Sequence, residues 1–214
     1  MVLFFLFILL LTSLVSIVSI PIANLFFKRL KSYTKSAILT ELALMLVLAF
    51  YLFWEAFNLA ISSLVFLIIG SVFVYRLGRI FPHRHSVKLT NIEHFGRLLL
   101  IAISVHEFTE GVGFGSSFAL GQTSGLVTAF LISLQNFFEG SVVAMPFLLE
   151  KRFKHALKAV MTTQVAFAVS SIGTYLVLMA LGGFYLAFGL AFSSGGLIYV
   201  ASEEFYLLRK KKEI

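Results

Sequence analysis

Cysteine and aspartate are both missing from this chain, and proline occurs only three times in 214 residues. Without cysteine there are no disulfides and no thiolate ligands, so any metal site must use nitrogen and oxygen donors. Without aspartate, all ten acidic residues are glutamates. Charged residues make up only 13% of the chain, against 59% hydrophobic and 15% aromatic, and the mean hydropathy is +0.98. So few polar side chains could not clothe a soluble globule, and an integral membrane protein is expected. The most informative absence is local. No lysine or arginine occurs between Arg97 and Lys151, a stretch that holds Glu107, Glu110 and Glu139.

Crossing a bilayer core takes roughly 20 apolar residues in a helix. Such spans fall near 2–27, 37–57, 59–78, 95–120, 123–149, 155–181 and 184–208. Residues 159–202 carry no charge at all, and Gly182-Gly183 is the natural turn between the two crossings they contain. The seventeen lysines and arginines cluster after the first, third, fifth and seventh spans. A seven-helix count puts all of them on one face, which the positive-inside rule makes cytoplasmic. The expected fold is an all-α, polytopic membrane bundle of seven transmembrane helices, one domain over 1–214, with the N-terminus outside and the C-terminus cytoplasmic. It would be a multi-pass protein of the cell membrane. Clustering between apolar spans, rather than on one polar face, excludes a nucleic-acid partner. The opening segment has no basic start and no small-residue cleavage pattern before Lys28, so it reads as a retained helix and not a signal peptide.

Charge within hydrocarbon is costly and marks function by default. The fourth span holds His106-Glu107-Phe108-Thr109-Glu110-Gly111, and the fifth holds Gln135-Asn136-Phe137-Phe138-Glu139-Gly140. Residues four apart share a helix face, so His106 stacks over Glu110 and Gln135 over Glu139, with Glu107 and Asn136 one position round. The two spans run antiparallel across a tight turn near Gly121, and each motif lies near the middle of its span. Both triads are therefore expected at one depth. Six donors without a basic partner form an oxygen-rich, nitrogen-containing cage suited to divalent first-row metals. Gly111, Gly113, Gly115 and Gly140 allow close helix approach or local unwinding beside the motifs.

From Leu98 to Phe147 the sequence resembles the fourth and fifth helices of ZIP metal-ion transporters, whose usual motifs are His-Asn-x-Pro-Glu-Gly and His-Glu-x-Pro-Glu-Gly. Val142-Val143-Ala144-Met145-Pro146 resembles the family's continuation, and Ile172-Gly173 and the stretch from Gly196 to Glu204 resemble its later helices. The resemblance implies metal binding between the fourth and fifth helices and movement from outside to cytosol. It makes His106, Glu110, Gln135 and Glu139 the main site and Glu107 and Asn136 an adjacent one. It also implies a homodimer and an elevator-like motion. The chain departs from the pattern in several places. Gln135 stands where a second histidine is usual, Thr109 and Phe138 replace the motif prolines, and Glu107 and Asn136 have exchanged helices. Ser170 takes the sixth-span position where relatives often carry glutamate, and an eighth helix is missing.

The function expected is inward transport of divalent transition metal, zinc first and iron or manganese next, with the metal as cargo, the lipid bilayer as surroundings and no prosthetic group. The alternative is a ZIP-like metal-binding, sensing or assembly subunit that does not transport. An enzyme is not expected. His106-Glu107-Phe108-Thr109 is followed by Glu110 where a zinc protease motif needs histidine. A retinal-type photoreceptor would need a lysine in the seventh span, and none lies there before Arg209. His83 and His85 form a loop pair that could capture released metal, although an ordinary solvated pair is the simpler reading. Glu55 is a weaker candidate for gathering cations at the outer mouth.

Overall fold

The computed structural model describes residues 1–26, 30–80 and 92–210. Seven helices are found among them: α1 Val2–Phe26, α2 Leu30–Leu59, α3 Ser63–Ile80, α4 Ile92–Leu120, α5 Gln122–Leu149, α6 Phe153–Leu181 and α7 Gly183–Lys210. The helices persist because little in the sequence interrupts them. Pro21 and Pro146 each remove one i→i−4 bond in the C-terminal part of α1 and α5, and both helices continue past them. Hydroxyl side chains in this apolar chain turn back onto their own helices, as Thr12 does to the Ile8 carbonyl (2.9 Å) and Ser171 to the Phe167 carbonyl (2.7 Å).

Five of the helices, α1, α2, α5, α6 and α7, are long and apolar enough to cross a membrane. α3 has 18 residues and carries Arg76 and Arg79, whereas α4 carries His106, Glu107 and Glu110. Large apolar side chains remain exposed in rows, among them Leu3, Phe7 and Leu10 on α1, Phe50 and Trp54 on α2, and Val165 and Val169 on α6. Apolar surface on that scale belongs in lipid, and the chain has the architecture of a membrane protein. Helix boundaries differ from the apolar spans where polar residues continue the helix. α2 starts at Leu30 and not near 37, because Lys31 to Ser36 form a polar but helix-compatible lead-in.

α4 is the central element and packs against α5, α6 and α7. α1 lies along α5 and α6, α2 along α5 and α7, and α3 along α7, so α1, α4, α5 and α6 form one group and α2, α3 and α7 another. The two groups meet where α4 touches α7 and α2 touches α5. Small residues make the closest approaches. A Cβ added at Gly195 would overlap the Leu67 carbonyl, one added at Gly70 would overlap the Phe192 carbonyl, and Ser71 Oγ donates to the Gly195 carbonyl at 2.8 Å. Away from the polar motifs the core is aromatic: Phe5 stacks on Tyr175 with centroids 4.2 Å apart, and Phe114 lies 4.9 Å from Phe118. Gly182 closes α6 with a positive φ of 80°, a conformation that glycine adopts without a Cβ penalty.

Candidate metal centre

Three contacts set how α4 and α5 face each other. His106 lies opposite Glu139, Glu110 opposite Gln135 and Ser117 opposite Thr128. Each step forward along α4 is matched by an equal step back along α5, as an antiparallel pair joined by a tight turn requires. The facing seam is therefore polar at three levels. Both helices run unbroken through their motifs. Thr109 keeps a backbone N–H where the resemblance would place proline, and its Oγ1 donates to the Val105 and His106 carbonyls at 2.9 and 2.8 Å. The glycines serve close approach and not unwinding: a Cβ at Gly111 would meet Ser170 and the Phe167 carbonyl of α6.

Four of the six expected donors converge. His106 Nε2 lies 3.0 Å from Glu110 Oε1 and 3.5 Å from Glu139 Oε2. Gln135 Nε2 is 2.9 Å from His106 Nε2 and also donates to Glu110 Oε1. One ligand atom from each of His106, Glu110 and Glu139 fits within a mutual 4.8 Å, and all three residues are buried. One ring nitrogen of a neutral imidazole cannot donate to Glu110 while accepting from Gln135, and crowding donors around a common point is what metal ligands do. Turning the Gln135 carboxamide by 180° replaces Nε2 with Oε1 and completes a set of one nitrogen and three oxygens.

The remaining polar atoms sharpen the point. Among the described residues, Glu110 Oε2, Gln135 Oε1 and both carboxylate oxygens of Glu139 are buried without a hydrogen bond. No lysine or arginine pairs with these glutamates among the described residues. Buried carboxylate oxygens left without hydrogen bonds are costly, and a bound cation would offset that cost.

Glu107 and Asn136 do not join this set. Glu107 Oε1 instead accepts from Gln164 Nε2 of α6, and both amide atoms of buried Asn136 are without a hydrogen bond among the described residues. Ser170, at the α6 position the resemblance singles out, donates to the Ala166 carbonyl at 2.8 Å, so α6 reaches the motifs through Gln164, six residues earlier. Sequence reasoning passed over Gln164, yet a signal was there: it is the sole carboxamide in the charge-free stretch 159–202. His83 and His85 lie outside the described residues. Glu55 is half-buried on α2.

No protein-family model matches this sequence, and no curated protein or solved structure matches it significantly. The centre therefore rests on its own geometry.

Gln164→Leu should show what the α6 contact is worth. It preserves most of the volume and leaves both Glu107 oxygens unpaired, so a stability loss of about 1–3 kcal/mol is expected in thermal unfolding. Metal affinity at His106, Glu110 and Glu139 should fall by less than the roughly 10- to 100-fold typical for residues that hold a ligand in place, because Gln164 bonds Glu107 and none of these three. A loss of that size or more would show that Gln164 and Glu107 support the metal centre after all.

Proposed function

We propose that this protein carries divalent transition-metal ions across the membrane through the α4–α5 centre, with zinc first and iron(II) or manganese(II) next. All seven helices cross the bilayer in this reading, with the N-terminus outside and the basic ends cytoplasmic, and the cargo moves inward. The observation that carries it is the convergence of His106, Glu110, Gln135 and Glu139 from two facing helices, buried and with no lysine or arginine paired to the glutamates among the described residues. Imidazole and carboxylate suit zinc, while the amide oxygen of Gln135 makes the set harder and admits iron and manganese. The likeness of the two motifs to those of ZIP transporters supports the same reading. So does the division of the bundle into two groups of helices, with the centre inside one of them.

Uptake by purified protein in liposomes tests it. Wild-type protein should concentrate zinc inside vesicles loaded with a metal-sensitive dye, and Glu110→Ala should reduce the rate to that of empty vesicles. Tight zinc binding without flux would instead mark a sensing or assembly subunit.

A further inference from the structure

The first three turns of α6 carry a feature that the metal centre does not use. Lys154, Leu157, Lys158, Met161, Thr162 and Val165 line an open groove of about 290 Å³. These positions recur every three or four residues and so form one stripe, with two ammonium groups at the helix start and apolar side chains below them. Met161, Val165 and Val169 are 51%, 60% and 65% exposed and continue the stripe along the helix. Leu157 is partly buried and forms the floor. At about 1.5 Å per residue, Val165 lies roughly 17 Å along the axis from Lys154, the distance from a lipid headgroup well into its acyl region.

Charge argues that the upper part of this groove needs an anion. Arg152 is already engaged, with Nη1 3.3 Å from Glu150 Oε2 and Nη2 2.9 Å from His155 Nε2. Lys154 and Lys158 have no ion-pair partner among the described residues, and no acidic residue stands in the first turn of α6. Two neighbouring cations, Lys154 in the first turn where the helix dipole is positive and Lys158 one turn on, are mutually unfavourable until a negative group joins them. Thr162 adds no competing donor, because its hydroxyl is turned to the Lys158 carbonyl at 2.8 Å.

We infer that this groove is a binding site for one acidic phospholipid, with its phosphate between Lys154 and Lys158 and an acyl chain along Met161, Val165 and Val169. Basic pockets beside membrane helices recognise anionic headgroups in this way. The site is separate from the metal centre and does not depend on the transport reading.

Native mass spectrometry of the full chain, released from nanodiscs of equal phosphatidylglycerol and phosphatidylcholine, tests the inference. Wild-type protein should retain phosphatidylglycerol in preference to phosphatidylcholine. K154Q/K158Q should lose that preference at least about 5-fold, whereas K151Q/R209Q, with the same change of net charge at residues that do not line the groove, should keep it. Val165→Trp, which fills the apolar part and leaves every charge in place, should also reduce retention. Equal retention of the two lipids by wild type, or equal losses in the two lysine pairs, would overturn the site. Loss in K154Q/K158Q with none in Val165→Trp would reduce it to bare surface charge and overturn the acyl assignment. An unchanged size-exclusion profile and unfolding temperature in each variant show that the chain is folded.

Discussion

Glu110→Ala is expected to weaken divalent-metal binding by about 100-fold or more, a loss of about 2.7 kcal/mol. Glu110 touches two of the other three donors, His106 and Gln135. Its Oε1 lies 3.0 Å from His106 Nε2 and accepts from Gln135, while its second oxygen has no hydrogen bond among the described residues. Removing it takes away a ligand, a charge and the group that orients the imidazole. Stability should move in the opposite direction in metal-free protein. If the carboxylate is kept for binding and is unpaid in the apo state, Glu110→Gln should leave the fold unharmed or make it more stable by about 1–4 kcal/mol. A structural strut would behave differently, since breaking it should cost about 3–5 kcal/mol with or without metal. Calorimetric titration with zinc and thermal unfolding in chelator, run on the same preparations, separate the two cases. Unchanged affinity with lowered stability would show that Glu110 is a strut.

Gly195→Val should have the largest effect on folding. The Cβ that any substitution adds at Gly195 would overlap the carbonyl of Leu67, and the reciprocal contact at Gly70 meets the carbonyl of Phe192. Backbone cannot rotate out of the way as a side chain can, so α3 and α7 would have to separate along their shared length. The Ser71 bond to the Gly195 carbonyl would stretch with them. Overpacking of this kind costs about 1–3 kcal/mol for a small addition and more for valine, so Gly195→Val should fail to accumulate as folded protein. Gly173→Ala is the matched control. A Cβ there meets nothing within 4 Å, and an alanine inside a helix is worth about 1 kcal/mol over glycine, so this variant should be at least as stable as wild type. Equal behaviour of the two variants, by size-exclusion profile and unfolding temperature, would contradict the packing described for α3 and α7.

The helices were legible in the sequence because hydropathy and charge placement mark them independently. Apolar runs place seven segments, and the turn glycines at 121 and 182 separate α4 from α5 and α6 from α7. Their ends were less legible. Hydropathy reports where a chain prefers lipid, not where helical hydrogen bonding stops, and so the polar residues that open α2 were left outside the predicted span. In the centre, the stripe of His106 and Glu110 against Gln135 and Glu139 followed from helical periodicity and a tight antiparallel turn. Periodicity could not tell which way Glu107 would turn, since it lies at the margin of the seam, where a third helix decides. That helix is α6, and the α4–α6 contact depends on glycines at 111 and 115 meeting Phe167, Ser170 and Ser171. Which residue of α6 faces Glu107 is a matter of tertiary register, and a single sequence does not encode register between distant helices in any local pattern.

Elemental analysis of purified protein, equilibrated with zinc and freed of excess metal, tests the central claim most directly. About one zinc per chain is expected in wild type and almost none in the His106→Ala/Glu139→Ala variant, with both proteins folded. Equal metal in the two, or none in wild type at a free zinc concentration in the micromolar range, would contradict it.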